Sequence, residues 1–321
     1  LSCKFEKSIK CIYIDPPFNL GENGDFLYKT NYLDSSWLSL LEERLKIAKK
    51  LLTDDGVVFV RCDYHGNYIV RNLMNSIFGI SNFRNEIFIN RIFKNKNNQD
   101  IKALPFILDS LLVYSKNYQF SYINPMKKLD KIREAYWRHM NDSAGQGTEK
   151  TFYGLTLKPP VDKHWKYSQE KIDEMIKRKE LQLFCKKCGY AHNEGNAGAC
   201  PKCKSNDWNP KYLVKATDEK ILDTNWSDIS GYSNTTGFST ENAEVLLERI
   251  INISTKPNDF VLDFFMGSGT TQAVAHKLNR RWIGVDMGAY FYKYPITRMK
   301  QVLYGIEKGI SKTSKAKSMG G

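Results

Sequence analysis

The sequence predicts an α/β fold whose sheet is parallel and is interrupted by an inserted module. Two observations predict it. Short apolar runs alternate with amphipathic helical patterns in the first ninety residues and again from about residue 240, the order that right-handed strand-helix-strand crossovers require. Between about residues 120 and 225 the alternation lapses into a polar, basic, turn-rich stretch. The 321 residues, 41% apolar and 26% charged, suffice for one large domain or two ordinary ones and exclude a disordered or fibrous chain. No apolar run approaches the roughly 20 residues that span a bilayer, and no secretory signal pattern opens the sequence. A cytoplasmic protein with no membrane contact is expected.

Taken in order, residues 11–15 form a short apolar run that Pro16 and Pro17 end, since neither prolyl nitrogen can donate to a ladder. The run reads as a buried parallel strand feeding a loop. Over residues 36–52 apolar side chains at Trp37, Leu38, Leu41, Leu45, Ala48 and Leu51 recur near helical spacing, and Asp54, Asp55 and Gly56 stop them. Residues 57–60 are a second buried strand, and Asn67 to Phe78 a second helix closed by Gly79. Residues 87–93 and 110–114 have strand character. After the irregular stretch come a helix at 240–253, a strand at 260–264, a helix at 270–278 and a strand at 282–285. The expected division is 1–90 and 226–305 for two halves of one sheet, 91–225 for the insert, and 306–321 for a mobile, Lys-rich tail.

Two motifs carry chemistry. Asp15, Pro16, Pro17 and Phe18 follow the first strand at its carboxyl end, the edge where open α/β sheets place their ligands. A carboxylate, a prolyl carbonyl and an aromatic face can grip a planar amino-bearing base, with two acceptors for its two amino hydrogens and a ring to stack on. A plain Pro-rich turn capped by Asp is the competing reading. The second motif, Phe265 to Thr271, joins a strand to a helix, and its Gly267 and Gly269 let backbone pass close to a ligand. Gln272 stands where a dinucleotide fingerprint has its third Gly, and no Gly-Lys-Ser/Thr follows, which disfavours dehydrogenase and phosphate-loop readings. Asp286, seventeen residues after Gly269, ends the next strand, where a carboxylate can accept from both hydroxyls of a ribose.

The chain carries 48 basic and 35 acidic side chains, a net +13. Residues 121–215 hold 19 basic and 11 acidic side chains, so most of the excess is regional. It fits either a polyanionic partner or a well-solvated Lys-rich surface. Four of the seven cysteines form the pairs Cys185/Cys188 and Cys200/Cys203, eleven residues apart. Two such turns complete a tetrahedral thiolate shell for zinc; two disulfides or four unrelated thiols are the alternatives. Cys3, Cys11 and Cys62 read as small buried apolar residues.

With the two motifs in this order, the chain resembles the permuted (beta-class) amino-group DNA methyltransferases, above all the modification (Mod) subunits of type III restriction-modification systems. The resemblance runs over residues 12–19, Trp37-Leu38, residues 43–45, 55–60, 73–74 and 77–79. It resumes at residues 226–228, 246–250, 261–271 and 281–286. It implies a Rossmann-like, circularly permuted methyltransferase sheet dependent on S-adenosylmethionine, with 91–225 in the target-recognition position; the zinc ribbon that the cysteine spacing suggests at 185–203 falls within it. It implies that Asp15, Pro16, Pro17 and Phe18 are the catalytic tetrapeptide. Asp263, Phe265, Gly267, Gly269 and Thr270 would line the cofactor pocket and Asp286 would hold its ribose. DNA is the implied substrate, and a second copy of the chain and a restriction (Res-like) subunit are the implied partners. Phe18 stands where the family more often has Tyr, and Asn242-Ala243 where it often has Lys-Pro. Members also carry a strand before the catalytic one, yet only about ten residues precede it here. The chain is therefore expected to be a fragment lacking one strand and part of the cofactor wall.

The Asp at the head of the tetrapeptide favours adenine N6 over cytosine N4, where Ser is commoner. RNA as substrate, and an inactive zinc-containing nucleic-acid-binding protein, are the competing readings. Tyr136, Trp137, Arg138, Tyr153 and Trp165 supply either stacking and groove contacts or the insert's own small core.

Overall fold

The strand Ile9–Ile14 is the hinge of the architecture, because both of its faces are covered. Cys11 and Tyr13 point into one apolar layer and Ile9, Ile12 and Ile14 into another, which is why the strand reads as an unbroken apolar run rather than an alternating one. This computed structural model describes residues 2–17, 34–91, 104–143, 145, 147–306 and 308–312. The chain divides into two compact units, one comprising Leu1–Pro125 with Leu222–Gly321 and the other Met126–Ile221.

The larger unit is built on a seven-stranded sheet in the spatial order Asn225–Ser230, Phe83–Asn90, Leu108–Ser115, Leu52–Cys62, Ile9–Ile14, Phe260–Asp263, Arg281–Gly284. Ile9–Ile14 pairs in parallel with both Leu52–Cys62 and Phe260–Asp263, placing Ile12 beside Val58 on one side and Leu262 on the other. The sheet is mixed, which corrects the expectation of a parallel one: Leu108–Ser115 runs antiparallel to both of its neighbours. An antiparallel return needs no helical crossover. The same strand narrows the insert, since residues 108–115 complete the core sheet although the sequence pattern assigns them to 91–225.

Helices Asp34–Leu51 and Asn67–Phe78 cover one face through Trp37, Leu41, Leu45, Val70, Met74 and Phe78. Helices Glu244–Ser254 and Thr270–Lys277 cover the other through Leu246, Leu247, Ile250, Ile251, Val274 and Ala275. The expected helix at 240–253 starts four residues late, because Asn242 is held in an isolated antiparallel bridge to Tyr232 and Ala243 is extended. The expected mobile tail is corrected in part. Gly309–Lys312 forms a single 3-10 turn whose Ile310 is buried and whose backbone N–H donates to Glu244 Oε2 at 3.0 Å; residues 313–321 lie outside those described. Cys11 and Cys62 are buried and free of disulfides.

The smaller unit has its own core. A four-stranded sheet, ordered Ala191–His192, Leu181–Cys185, Trp208–Val214, Tyr136–His139, packs with the helix Gln169–Lys177, whose N-cap Ser168 side chain accepts from the Lys171 N–H. Tyr153 and Trp165 belong to this core with Phe152, Leu183 and Trp208, whereas Tyr136 is exposed. Among the described residues no helix is long and apolar enough to cross a membrane.

Phe59 in the central strand is fully buried. Phe59→Ala is expected to cost about 3–5 kcal/mol through lost burial and an unfilled cavity, read as a lower urea midpoint with an unchanged denaturant slope.

Candidate active site

The carboxyl edge of the sheet carries both sequence motifs into one place. Because Ile9–Ile14 and Phe260–Asp263 are parallel neighbours, Asp15 and Asp263 leave the same rim. A cleft of about 290 Å³ opens there, lined among others by Asp15, Pro16, Pro17, Asp263, Phe265 and Asp286. Gly267 and Thr270 also line it. Gly269 does not; at φ +77° it turns the chain into the helix Thr270–Lys277, and a Cβ there would come within 3.0 Å of Pro295. Gly267, at φ +51°, adopts the left-handed backbone that glycine tolerates best. Phe18 lies outside the described residues.

The Asp15 side of the cleft is rigid. The Trp37 indole donates to the Pro17 carbonyl at 2.8 Å, fixing the turn against the helix Asp34–Leu51. Asp15 Oδ2 accepts from Asn242 Nδ2 at 2.9 Å and lies 4.0 Å from the Arg61 guanidinium. Burial pushes the Asp15 carboxyl up to about 6, against the opposing pull of Arg61 and of the Asn242 hydrogen bond. Arg61 is fully buried. It donates to Asp109 Oδ2 at 2.7 Å, to the Gly231 carbonyl at 2.8 Å and to Asn242 Oδ1 at 2.6 Å, while the Tyr232 ring lies 3.8 Å from its guanidinium carbon.

On the other side Asp263 accepts from the Phe265 N–H at 2.9 Å and the Thr271 hydroxyl at 2.6 Å. It is therefore a buckle for the glycine-bearing loop. Burial raises its carboxyl to about 7, against those same two hydrogen bonds. Asp286 accepts from the N–H groups of Gly267 and Gly288 and from the Tyr290 hydroxyl, each at 2.8 Å. A carboxylate offers about four acceptor positions, so little capacity is left for a ligand unless Tyr290 yields its place. Phe238 stacks edge-on against Tyr290, and its ring would lie 3.5 Å from a Cβ at Gly267.

The Phe238 loop is anchored from beneath. Glu241 accepts from the backbone and hydroxyls of Thr235 and Thr236 and pairs with Arg298 at 2.9 Å. Burial alone would raise its carboxyl, but the Thr235 bond, the Arg298 charge and Thr236 outweigh that and hold it at about 2. Glu244 pairs with both Lys277 and Arg298. A charge buried without a partner costs several kcal/mol, so these four side chains stand or fall together.

Sequence reasoning brings Asp15, Pro16, Pro17, Asp263, Phe265, Gly267, Thr270 and Asp286 to this cleft and misses Arg61, Tyr232 and Phe238. Arg61 had one signal, a lone cation inside the apolar run 57–62, where burial demands a partner. Tyr232 and Phe238 sit in a polar stretch with no periodicity.

In the smaller unit Cys185, Cys188, Cys200 and Cys203 converge, with all four Sγ atoms within 4.8 Å of one another. The closest pairs, Cys185/Cys203 and Cys188/Cys200, lie at 3.4 and 3.5 Å. Tetrahedral zinc at about 2.3 Å from each thiolate sets the sulfurs about 3.8 Å apart, so the donor set fits the ion. Backbone bonds from Gly189 N–H to the Cys185 carbonyl and from Lys204 N–H to the Cys200 carbonyl close each turn.

The chain is 30% identical over 376 aligned residues to the "Probable type III restriction-modification enzyme HindVI Mod subunit" of Haemophilus influenzae, covering 97% of this chain and 50% of that protein. It is 27% identical to the type II methyltransferase M.EcaI of Enterobacter cloacae, covering 93% of this chain and 66% of that one. The chain thus spans about half to two thirds of these relatives. Among solved structures, the PvuII DNA methyltransferase (cytosine-N4-specific) superposes with a TM-score of 0.51 at 16% identity, over 93% of this chain and 82% of that one, a likeness of fold. The profile of the N6/N4 family described as DNA methylase matches residues 9–297, and the chain belongs to that family.

Proposed function

We propose that this chain is the catalytic part of a DNA methyltransferase that moves a methyl group from S-adenosylmethionine to adenine N6. The observation that carries the reading is the single cleft: Asp15, Pro16 and Pro17 share it with Phe265, Gly267 and Asp286 although more than two hundred residues separate the two sets. When bound, S-adenosylmethionine supplies an electrophilic methyl group on a sulfonium. Phe265, Gly267 and Thr270 would form its wall, and Asp286 would hold its ribose in place of the Tyr290 hydroxyl.

In this reading Asp15 and the Pro16 carbonyl each accept a hydrogen bond from the exocyclic amine of an extruded base. Those two bonds draw the nitrogen lone pair out of the ring and aim it. After transfer the nitrogen carries one proton too many, and Asp15, with its carboxyl raised to about 6, is the nearest base. Phe18 is proposed to stack on the base. The carboxylate at the head of the tetrapeptide supports adenine over cytosine.

The finer features belong to the same proposal. The catalytic strand precedes the cofactor loop in the chain, which supports a permuted, Rossmann-like arrangement. The insert is proposed as the target-recognition region, a role its basic excess supports. Structural zinc on the four cysteines would stiffen it. A restriction subunit is proposed as a partner, which the likeness to Mod subunits supports; a second copy of the chain and a cytoplasmic location are proposed with it.

Incubating the chain with labelled S-adenosylmethionine and DNA, then digesting to nucleosides, is expected to give N6-methyl-2′-deoxyadenosine; label found instead in N4-methyl-2′-deoxycytidine, or transferred to RNA alone, would overturn the assignment. Asp15→Ala is expected to lower kcat by about 10²- to 10⁴-fold with cofactor affinity nearly unchanged, while Asp286→Ala weakens the cofactor by about 10- to 100-fold in calorimetry. Asp15 can take up the amino proton only when ionised, so kcat/KM should rise as the pH climbs through about 6 and be lost below it. Metal analysis is expected to find one zinc per chain, lost on replacing Cys188 and Cys200 together by Ser; a metal-free chain with four readily alkylated thiols would contradict this.

A further inference from the structure

Asp15 touches the buried cation behind it only through an intermediary. Arg61 spends its donors elsewhere: Nε and one Nη on Asp109 Oδ2, and the other Nη on the Gly231 carbonyl and Asn242 Oδ1. Its approach to Asp15 is 4.0 Å, beyond hydrogen-bond reach. Asn242 fills the gap, and its orientation is forced. A guanidinium can only donate, so the 2.6 Å contact from Arg61 must fall on the amide oxygen. The Tyr13 hydroxyl donates to the same oxygen at 2.9 Å. The amide nitrogen is thereby turned onto Asp15 Oδ2 at 2.9 Å. Among the described residues both polar contacts of the Asp15 carboxylate, from Asn242 and Arg61, fall on Oδ2, and Asp15 lines the cleft.

We propose that Asn242 is the positioning residue of Asp15: held by Arg61 and Tyr13, it pins Oδ2 and so leaves Oδ1 as the oxygen offered to the substrate amino group. This rests on the methyltransferase reading. Asn242 also lines the cleft, but in the proposal its side-chain amide is given to Asp15 and acts through the carboxylate, by direction and by charge. An amide donor on Oδ2 favours the ionised form and forbids the proton from settling on that oxygen. The other groups that act on Asp15 are Arg61, Asp109 and Arg91, with Tyr13, Tyr232 and Asp263 also within electrostatic range. Among the described residues only Asn242 joins the carboxylate to the buried cation by hydrogen bonds.

The discriminating substitution is Asn242→Asp, which keeps the shape and the acceptor for Arg61 and Tyr13 but sets a carboxylate oxygen where the donor was. The expected result is a kcat lower by about 100-fold or more, an unchanged affinity for S-adenosylmethionine in calorimetry, and an acid limb of kcat/KM moved up by about one pH unit or more. Asn242→Gln, which retains the amide, is expected to recover part of the rate and the original acid limb. An unchanged rate and acid limb in Asn242→Asp would overturn the proposal, as would a fall in rate matched by an equal fall in cofactor affinity and melting temperature. Carboxyl ¹³C titration of Asp15, assigned with Asp15→Asn, reads the same positioning without turnover: an upward move of its midpoint in Asn242→Asp supports the proposal and no move contradicts it. A wild-type chain that binds DNA and cofactor yet transfers no methyl group would overturn the functional reading and the substrate half of this proposal, while the titration still decides whether Asn242 holds the carboxylate.

Discussion

The parallel pairing of Ile9–Ile14 with Phe260–Asp263 is the constraint on which the rest of the structure depends. It joins chain segments about two hundred and fifty residues apart and sets Asp15 beside Asp263 at one rim. Its register is enforced from both faces. A slip by one residue would send Cys11 and Tyr13 into the layer shaped for Ile12 and Ile14, and every buried side chain of the strand would change sides. The smaller unit enters the chain between these segments and closes on a core of its own, so the pairing survives an interruption of about a hundred residues.

Around that pairing the larger unit buries several ion pairs. Arg61 lies against Asp109, and Lys277 and Arg298 against Glu241 and Glu244. Such pairs bring modest net stability but a heavy penalty for rearrangement, which suits a cleft that must hold its shape. The contrast between Glu241 and Asp15 shows the principle at work. Glu241 is saturated with donors and stays ionised far into acid, whereas Asp15 is desolvated and has, among the described residues, one side-chain hydrogen bond and a distant cation, so its carboxyl rises toward neutrality. One carboxylate anchors a loop; the other keeps an oxygen in reserve.

Much of this was legible in the sequence where a single local signal decided the matter. The helix Asn67–Phe78 has the bounds its pattern gives, because Gly79, at φ +91°, ends it. The four cysteines converge because two short turns leave them little choice. Other features carried no such signal. Asn225–Ser230 has one buried anchor, Trp226, among polar neighbours, and becomes a strand only because Phe83–Asn90 offers it an edge. The helix Pro295–Leu303 follows a 3-10 turn and begins at a proline, with a sparse apolar face. The antiparallel sense of Leu108–Ser115 is a property of the whole sheet. Asn242 stands out in sequence only as a departure from the Lys-Pro of the family it resembles, and gains its meaning from three partners, Tyr13, Arg61 and Asp15, at least 181 positions away.

The central claim is that one cleft holds the methyl donor on the Phe265 side and the acceptor base on the Asp15 side. A crystal structure of the chain with S-adenosylhomocysteine and a short adenine-containing DNA tests it most directly. The account predicts the ribose against Asp286, the sulfur facing the Asp15 to Pro17 turn, and an extruded adenine whose amino group meets Asp15 Oδ1. Cofactor density elsewhere on the chain, or a base seated away from Asp15, would contradict it.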